Sequence, residues 1–174
     1  GEAGLQLLRL KLGFPGAAEH LATTINNNTG SGTIGIAWGS PGTTLAALFA
    51  FEMTGDSLML NWYQDGARRL WESREEGTGT WQTSLYGHDD HLLGGLHGFA
   101  ANASVLVRGL HHLDAEIQSG LEGAIARVLS GCALTHNNLV NWPLTFGDST
   151  RSGAPVRLVQ HCNGAPGVIN CLAP

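Results

Sequence analysis

The apolar positions along the chain fall into two kinds of helical pattern. Between Thr43 and Met53, the residues Leu45, Ala46, Ala47, Leu48, Phe49, Ala50, Phe51 and Met53 cover every face of a helix. A helix that is apolar all round belongs inside a structure. The segment after it is different. In 56–74, Leu60, Tyr63, Ala67, Leu70 and Trp71 share one face, as residues three, four and seven apart do on a helix of 3.6-residue period. Ile117, Leu121, Ala124 and Val128 do the same within 114–131. A buried helix followed by an amphipathic one, recurring along the chain, predicts two nested layers of helices.

A short glycine turn precedes each apolar segment. Gly-Glu-Ala-Gly at 1–4, Gly-Ser-Pro-Gly at 39–42, Gly-Phe-Ala-Ala at 98–101 and Gly-Ala-Pro-Gly at 164–167 share one form, with Ala101 in place of the second glycine in the third copy. Glycine lets the backbone turn sharply, and proline suits the first helical turn, where its missing N–H is not needed. The recurrent unit is a tight turn that launches a helix. Between the units, 77–87 and 136–161 combine turn residues with short apolar or aromatic runs and read as loops with brief strands, Trp142 being extended. Residues 26–35 read as a flexible connector. None of these stretches separates two domains. The chain reads as a single domain over 1–174, built from about four launch repeats, and such repeats depend on their neighbours to bury a face.

Composition narrows the function classes. Charged residues make up 13% of the 174 and the net charge is −5, which argues against nucleic acid or an anionic membrane as the main partner. No apolar run approaches the roughly 18–20 residues needed to span a bilayer, and no transmembrane segment is expected. Three cysteines without a secretory signal segment point to free thiols in a reducing, cytoplasmic setting. The sequence starts at Gly1 without Met and reads as a trimmed or incomplete piece. Gly-Ser-Pro-Gly lacks the Lys-Ser/Thr of a phosphate loop, there is no Gly-x-Ser-x-Gly elbow, and no Asp/Glu pair on the launch turns suggests a glycosidase.

The stretches Trp-Gly-Ser-Pro-Gly (38–42), Leu-His-Gly-Phe-Ala-Ala-Asn (96–102), Asn-Trp-Pro (141–143) and His-Cys-Asn-Gly-Ala-Pro-Gly-Val (161–168) carry a resemblance. In their order the chain resembles the lanthionine synthetase C-like family, the LanC cyclases and LanC-like proteins, over nearly its whole length. The resemblance implies an all-α fold, the α/α toroid of nested inner and outer helices around a central cavity with short strands in its loops, here an incomplete portion. It implies zinc-assisted Michael addition of a thiol, from a peptide cysteine or glutathione, to dehydroalanine or dehydrobutyrine in a dehydrated peptide, giving a thioether. In this family zinc is bound by one Cys from a Cys-x-Gly turn and by a Cys-His pair from a later Cys-His-Gly turn. Cys162 matches the first. The sequence ends at Pro174 without a Cys-His-Gly, so one of the three protein ligands expected of a catalytic zinc is present. The alternative from another class is a non-catalytic LanC-like binding or scaffold protein with an incomplete zinc site.

Individual residues then have two readings each. Cys162 is a zinc ligand or a small buried hydrophobe. His161 and Asn163 stand where the family has Trp and His or Tyr, and His161 is a candidate substitute ligand. His97 matches the His of the family's His-Gly turn, which moves the proton between thiol, enolate and solvent; otherwise it is a structural histidine. Cys171 and Cys132 read as core, His111 and His112 as solvated or facing a helix end, and Asp89 and Asp90 as solvated turn residues. Arg157 is near Cys162 in sequence but does not match the spacing of the family's arginine. The family's aspartate before the second launch turn has no counterpart in Gly35-Ile36-Ala37-Trp38.

Overall fold

The computed structural model describes residues 1–85, 87–147 and 158–173. Among them the chain is mainly helical: α1 (Glu2–Lys11), α2 (Ala17–Asn28), α3 (Ser40–Thr54), α4 (Ser57–Glu72), α5 (Phe99–Arg108), α6 (Ala115–Cys132) and α7 (Ala165–Leu172), with a 3-10 turn at Leu110–His112. Two antiparallel hairpins interrupt the helices, β1 (Thr83–Leu85) with β2 (His88–Asp90) and β3 (Leu134–His136) with β4 (Leu139–Asn141). Asn137 and Asn138, both at positive φ, make the tight turn of the second hairpin, a conformation that asparagine tolerates better than most residues. The helices α1, α3, α5 and α7 stand in a row, each touching the next, while α2, α4 and α6 pack behind them.

The two layers start their helices by different physics. In the rear layer, Asp56 and Asp114 cap α4 and α6 through their side chains, Asp56 accepting from Leu58 N–H at 2.9 Å and Asp114 from Ile117 N–H at 3.1 Å. In the front row, α3, α5 and α7 have glycine at the cap and no side-chain cap bond. For α3 and α5, backbone carbonyls from the incoming loop take over. Ser40 N–H donates to Thr33 O at 3.1 Å, and Phe99, Ala100 and Ala101 donate to Leu92, Leu93 and Gly94 at 2.8, 3.2 and 3.3 Å.

That wrapping loop is what demands glycine. A Cβ would lie 2.2 Å from Thr33 O at Gly39, 1.9 Å from Ile36 O at Gly42 and 2.5 Å from Leu92 O at Gly98. At Gly164 and Gly167 it would lie 1.9 Å from Leu158 O and 1.8 Å from His161 O. In each case the obstructing carbonyl belongs to the residue six places earlier. Before α3, α5 and α7 the recurring motif is therefore one recurring steric constraint, which the first copy does not share, since nothing lies near the Cβ position of Gly4. Ala101 departs from it, and the residue six places before it is itself a glycine, Gly95.

The core lies between the layers. On α4, Tyr63, Ala67, Leu70 and Trp71 are buried, and on α6 Ile117, Leu121 and Val128, as their spacing predicts. Every residue of α5 from Phe99 to Leu106 is buried. Tyr63 ties the layers by donating to Val105 O at 3.0 Å, and Trp81 donates its indole N–H to Leu70 O at 2.7 Å.

Three expectations are corrected. The helix over 43–53 is not buried all round: Met53 is exposed and Leu45, Phe49 and Phe51 are half-buried, because a cavity borders this helix at Leu45 and Phe49. The stretch expected to be a connector from residue 26 is helical through Asn28, held by the buried Leu21 and Ile25 and by a hydrogen bond from Asn28 Nδ2 to Thr43 Oγ1. Asp89 and Asp90 lie on β2 rather than in a turn. Among the described residues, Leu5, Leu8, Leu12 and Phe14 are more than half exposed at the α1 edge of the front row, and Ile169 at the α7 edge.

The glycine geometry makes opposite predictions at two sites. Gly42→Ala drives a methyl into the Ile36 carbonyl and should destabilise the fold by about 1–3 kcal/mol or more. Gly123→Ala, on α6 with nothing near its Cβ position, should stabilise it by about 0.5–1 kcal/mol. Denaturant titration of the two variants against the parent measures both.

Candidate functional site

The loops that launch α5 and α7 lie backbone on backbone. A Cβ on Gly94 would sit 1.7 Å from the carbonyl oxygen of Cys162, and one on Gly95 would sit 2.8 Å from Gly167 Cα and from His161 O. Only a pair of glycines lets the two loops approach this closely. A third strand of chain supports the contact from behind: Leu93 N–H donates to Leu144 O at 3.0 Å and Phe146 N–H to His91 O at 2.8 Å. The turn bearing His97 and the turn bearing Cys162 are therefore one structural unit.

Cys162 stands near the tip of its turn. Gln160 and Asn163 exchange both backbone hydrogen bonds, at 2.9 and 3.2 Å, with His161 and Cys162 between them. The half-buried thiol lies 3.5 Å from Gln160 Oε1 as donor and 3.5 Å from Asn163 Nδ2 as acceptor. His161 is exposed beside it. Among the described residues, the hydrogen-bond partners of the Cys162 side chain are thus amides of its own loop.

His97 immediately precedes the cap of α5. Its carbonyl is fixed by Thr83 Oγ1, which donates at 3.0 Å, and its ring lies flat on Trp38, with centroids 4.5 Å apart and planes 3° from parallel. Trp38 itself is 60% exposed. Nδ1 of His97 is buried and has no hydrogen-bond partner among the described residues, and burial pushes the imidazole pKa below its ordinary value of 6.5. Near neutral pH the ring is uncharged, and Nε2 is the nitrogen left to exchange a proton. Trp38 also borders a cavity of about 610 Å³ between the starts of α1 and α3, lined in addition by Leu7, Gly42, Leu45 and Phe49.

The remaining candidates are placed as follows. Cys132 is buried in the core, and burial raises its pKa. Cys171 is half-buried, donates its S–H to Gly95 O at 3.4 Å and has its pKa raised by burial. Both are thiols rather than thiolates near neutral pH. His111 and His112 occupy the 3-10 turn with ring centroids 3.8 Å apart, and burial and the neighbouring His111 lower the pKa of His112. Arg157 lies outside the described residues. Among the described residues no three His, Cys, Asp or Glu side chains come together to hold a metal ion, and Cys162 offers a single thiolate to a zinc that needs three protein ligands.

Sequence reasoning singled out His97 and Cys162 and missed their supports. Trp38 carries a signal, an aromatic residue directly before a launch turn, and so does the Gly94-Gly95 pair before His97. No family model matches this sequence, and no curated protein does.

The lowered pKa values give a pH dependence with a definite sign. For His97 and His112 the folded state disfavours the proton, so their contribution to stability is complete above 6.5 and is lost as the pH falls below it. The melting temperature should therefore drop between about pH 7 and about pH 5. His97→Gln should flatten part of that drop and leave the share of His112, and calorimetry across this range measures both slopes.

Proposed function

We propose that this chain is a portion of a LanC-like α/α toroid, and that the joined turns before α5 and α7 form one wall of a site that adds a thiol to dehydroalanine or dehydrobutyrine. The observation that carries this reading is the backbone contact of Gly94 with Cys162 and of Gly95 with Gly167. It holds a histidine-bearing and a cysteine-bearing launch turn together although they are far apart in sequence. The alternation of front-row and rear helices is the arrangement from which such a toroid is built, and it supports the same reading.

The chemistry asks for two proton transfers. The substrate sulfur forms a bond to the β-carbon of the dehydrated residue while its proton leaves to a base. The π electrons move towards the carbonyl as an enolate, and a proton is then delivered to the α-carbon. His97 suits both steps. Burial keeps it neutral near pH 7 and ready to accept, Trp38 fixes its plane, and the burial of Nδ1 leaves Nε2 to face a ligand. In the longer protein that this reading requires, Cys162 would be one ligand of a zinc ion that lowers the pKa of the substrate thiol.

The test is zinc stoichiometry and thiol addition in a version extended through a Cys-His-Gly turn. That protein should bind one zinc tightly, as three protein ligands allow, and Cys162→Ala should remove most of the metal and most of the activity. His97→Ala should keep the metal and slow the reaction by about 10²–10⁴-fold, the usual loss for a general acid–base group. Full zinc occupancy in Cys162→Ala would show that the cysteine is a structural residue. A longer chain without any Cys-His-Gly, inert towards dehydrated peptides with both peptide thiols and glutathione, would establish the scaffold alternative.

A further inference from the structure

The launch turn before α7 differs from its counterparts in one respect. Before α3 and α5 the first helical N–H reaches straight back to the carbonyl seven residues earlier, Ser40 to Thr33 at 3.1 Å and Phe99 to Leu92 at 2.8 Å. The corresponding pair before α7 is Ala165 and Leu158, and a side chain stands between them. Ala165 N–H donates to Oδ1 of Asn141 at 2.6 Å, and Nδ2 of Asn141 donates to Leu158 O at 3.1 Å. Gly164, at φ 101°, makes room for the bridge: Asn141 Oδ1 lies 3.0 Å from where its Cβ would be.

The bridge spans the turn that bears the thiol. Inside it, Gln160 and Asn163 close a smaller ring through their own backbones, so the turn bearing Cys162 is fastened twice, once by itself and once by Asn141. Asn141 is in turn held from outside. It is the last residue of β4, paired with Leu134, and the next residue, Trp142, donates its indole N–H to Leu129 O of α6 at 2.9 Å. A continuous line of bonded groups thus runs from a rear-layer helix to the cysteine turn.

We propose that Asn141 is the positioning residue for the Cys162 thiol, setting the turn by bridging Leu158 and Ala165 in place of the direct backbone bond used before α3 and α5. The inference rests on reading Cys162 as the zinc-ligating thiol of the proposed site. The residue type follows from the bridge, which needs one acceptor for an N–H and one donor for a carbonyl on a short side chain. An amide supplies both, an ionised carboxylate only acceptors, and an aliphatic side chain neither.

Alkylation of the three cysteines by iodoacetamide, followed peptide by peptide by mass spectrometry, tests this without metal or substrate. Cys132 and Cys171 serve as internal references. In Asn141→Ala, Cys162 should react at least about fivefold faster while the references stay unchanged, and the Ala165 amide should exchange its hydrogen about tenfold faster, in keeping with one lost hydrogen bond. Asn141→Asp keeps the acceptor for Ala165 N–H and loses the donor, so it should restore slow exchange at Ala165 and leave Cys162 at an intermediate rate. Unchanged Cys162 reactivity, or equal acceleration at all three cysteines in both variants, would overturn the proposal. A selective effect at Cys162 together with no zinc in the extended protein would leave the positioning role standing and remove the zinc reading instead.

Discussion

The front row of helices depends on a steric exclusion: a backbone carbonyl occupies the place of a β-carbon. At Gly39, Gly42, Gly98, Gly164 and Gly167 the oxygen six residues back lies within 2.5 Å of the missing atom, so the loop folds against the start of its own helix. Before α3 and α5 this closeness brings carbonyls to N–H groups that have no partner within the helix, and main chain satisfies them, whereas before α7 Asn141 stands in. Side chains at these turns are released from capping duty. Trp38 and His97, each the residue just before a launch glycine, are free to stack on one another, whereas Asp56 and Asp114 in the rear layer each cap a helix with the side chain.

The same economy of space joins one launch turn to the next. Gly94 and Gly95 allow the loop before α5 to touch the loop before α7 through main chain, a contact that side chains would have held several ångströms apart. Rigid backbone contact transmits position better than packing of flexible groups. A shift in one of these two loops therefore displaces the other, and the environments of His97 and Cys162 are mechanically linked although their side chains have separate partners. The hairpins and the 144–146 stretch brace this pair from the rear layer, so the irregular segments between helices act as supports for the turns.

Much of this architecture is legible in the sequence because its causes are local. The one-sided spacing of Tyr63, Ala67, Leu70 and Trp71 predicts α4, that of Ile117, Leu121 and Val128 predicts α6, and the glycine spacing marks the launch turns of α3, α5 and α7. What escapes is set by distant neighbours. The asparagines that end α2 look like a connector, yet Ile25 anchors the helix in the core and Asn28 bonds to Thr43. Met53 looks buried by composition and is exposed, while Phe51 in the same turn packs its ring against His112. At the site, the positions of His97 and Cys162 beside launch turns can be read directly. The stacking partner of one and the double fastening of the other cannot, since Trp38 and Asn141 reach them only through the fold.

The two open ends of the front row have a consequence in terms of symmetry. Among the described residues, one end presents Leu5, Leu8, Leu12 and Phe14 and the other Ile169 on α7, so the two edges differ in the apolar side chains they expose. A two-fold dimer would have to pair each end with itself. Joining the α7 end of one copy to the α1 end of another instead continues the step by which each front helix already follows the last. Such an interface is heterologous, and every copy added re-creates the edge that the previous one covered. Assembly by that rule ends only where the rotation from one copy to the next closes a ring.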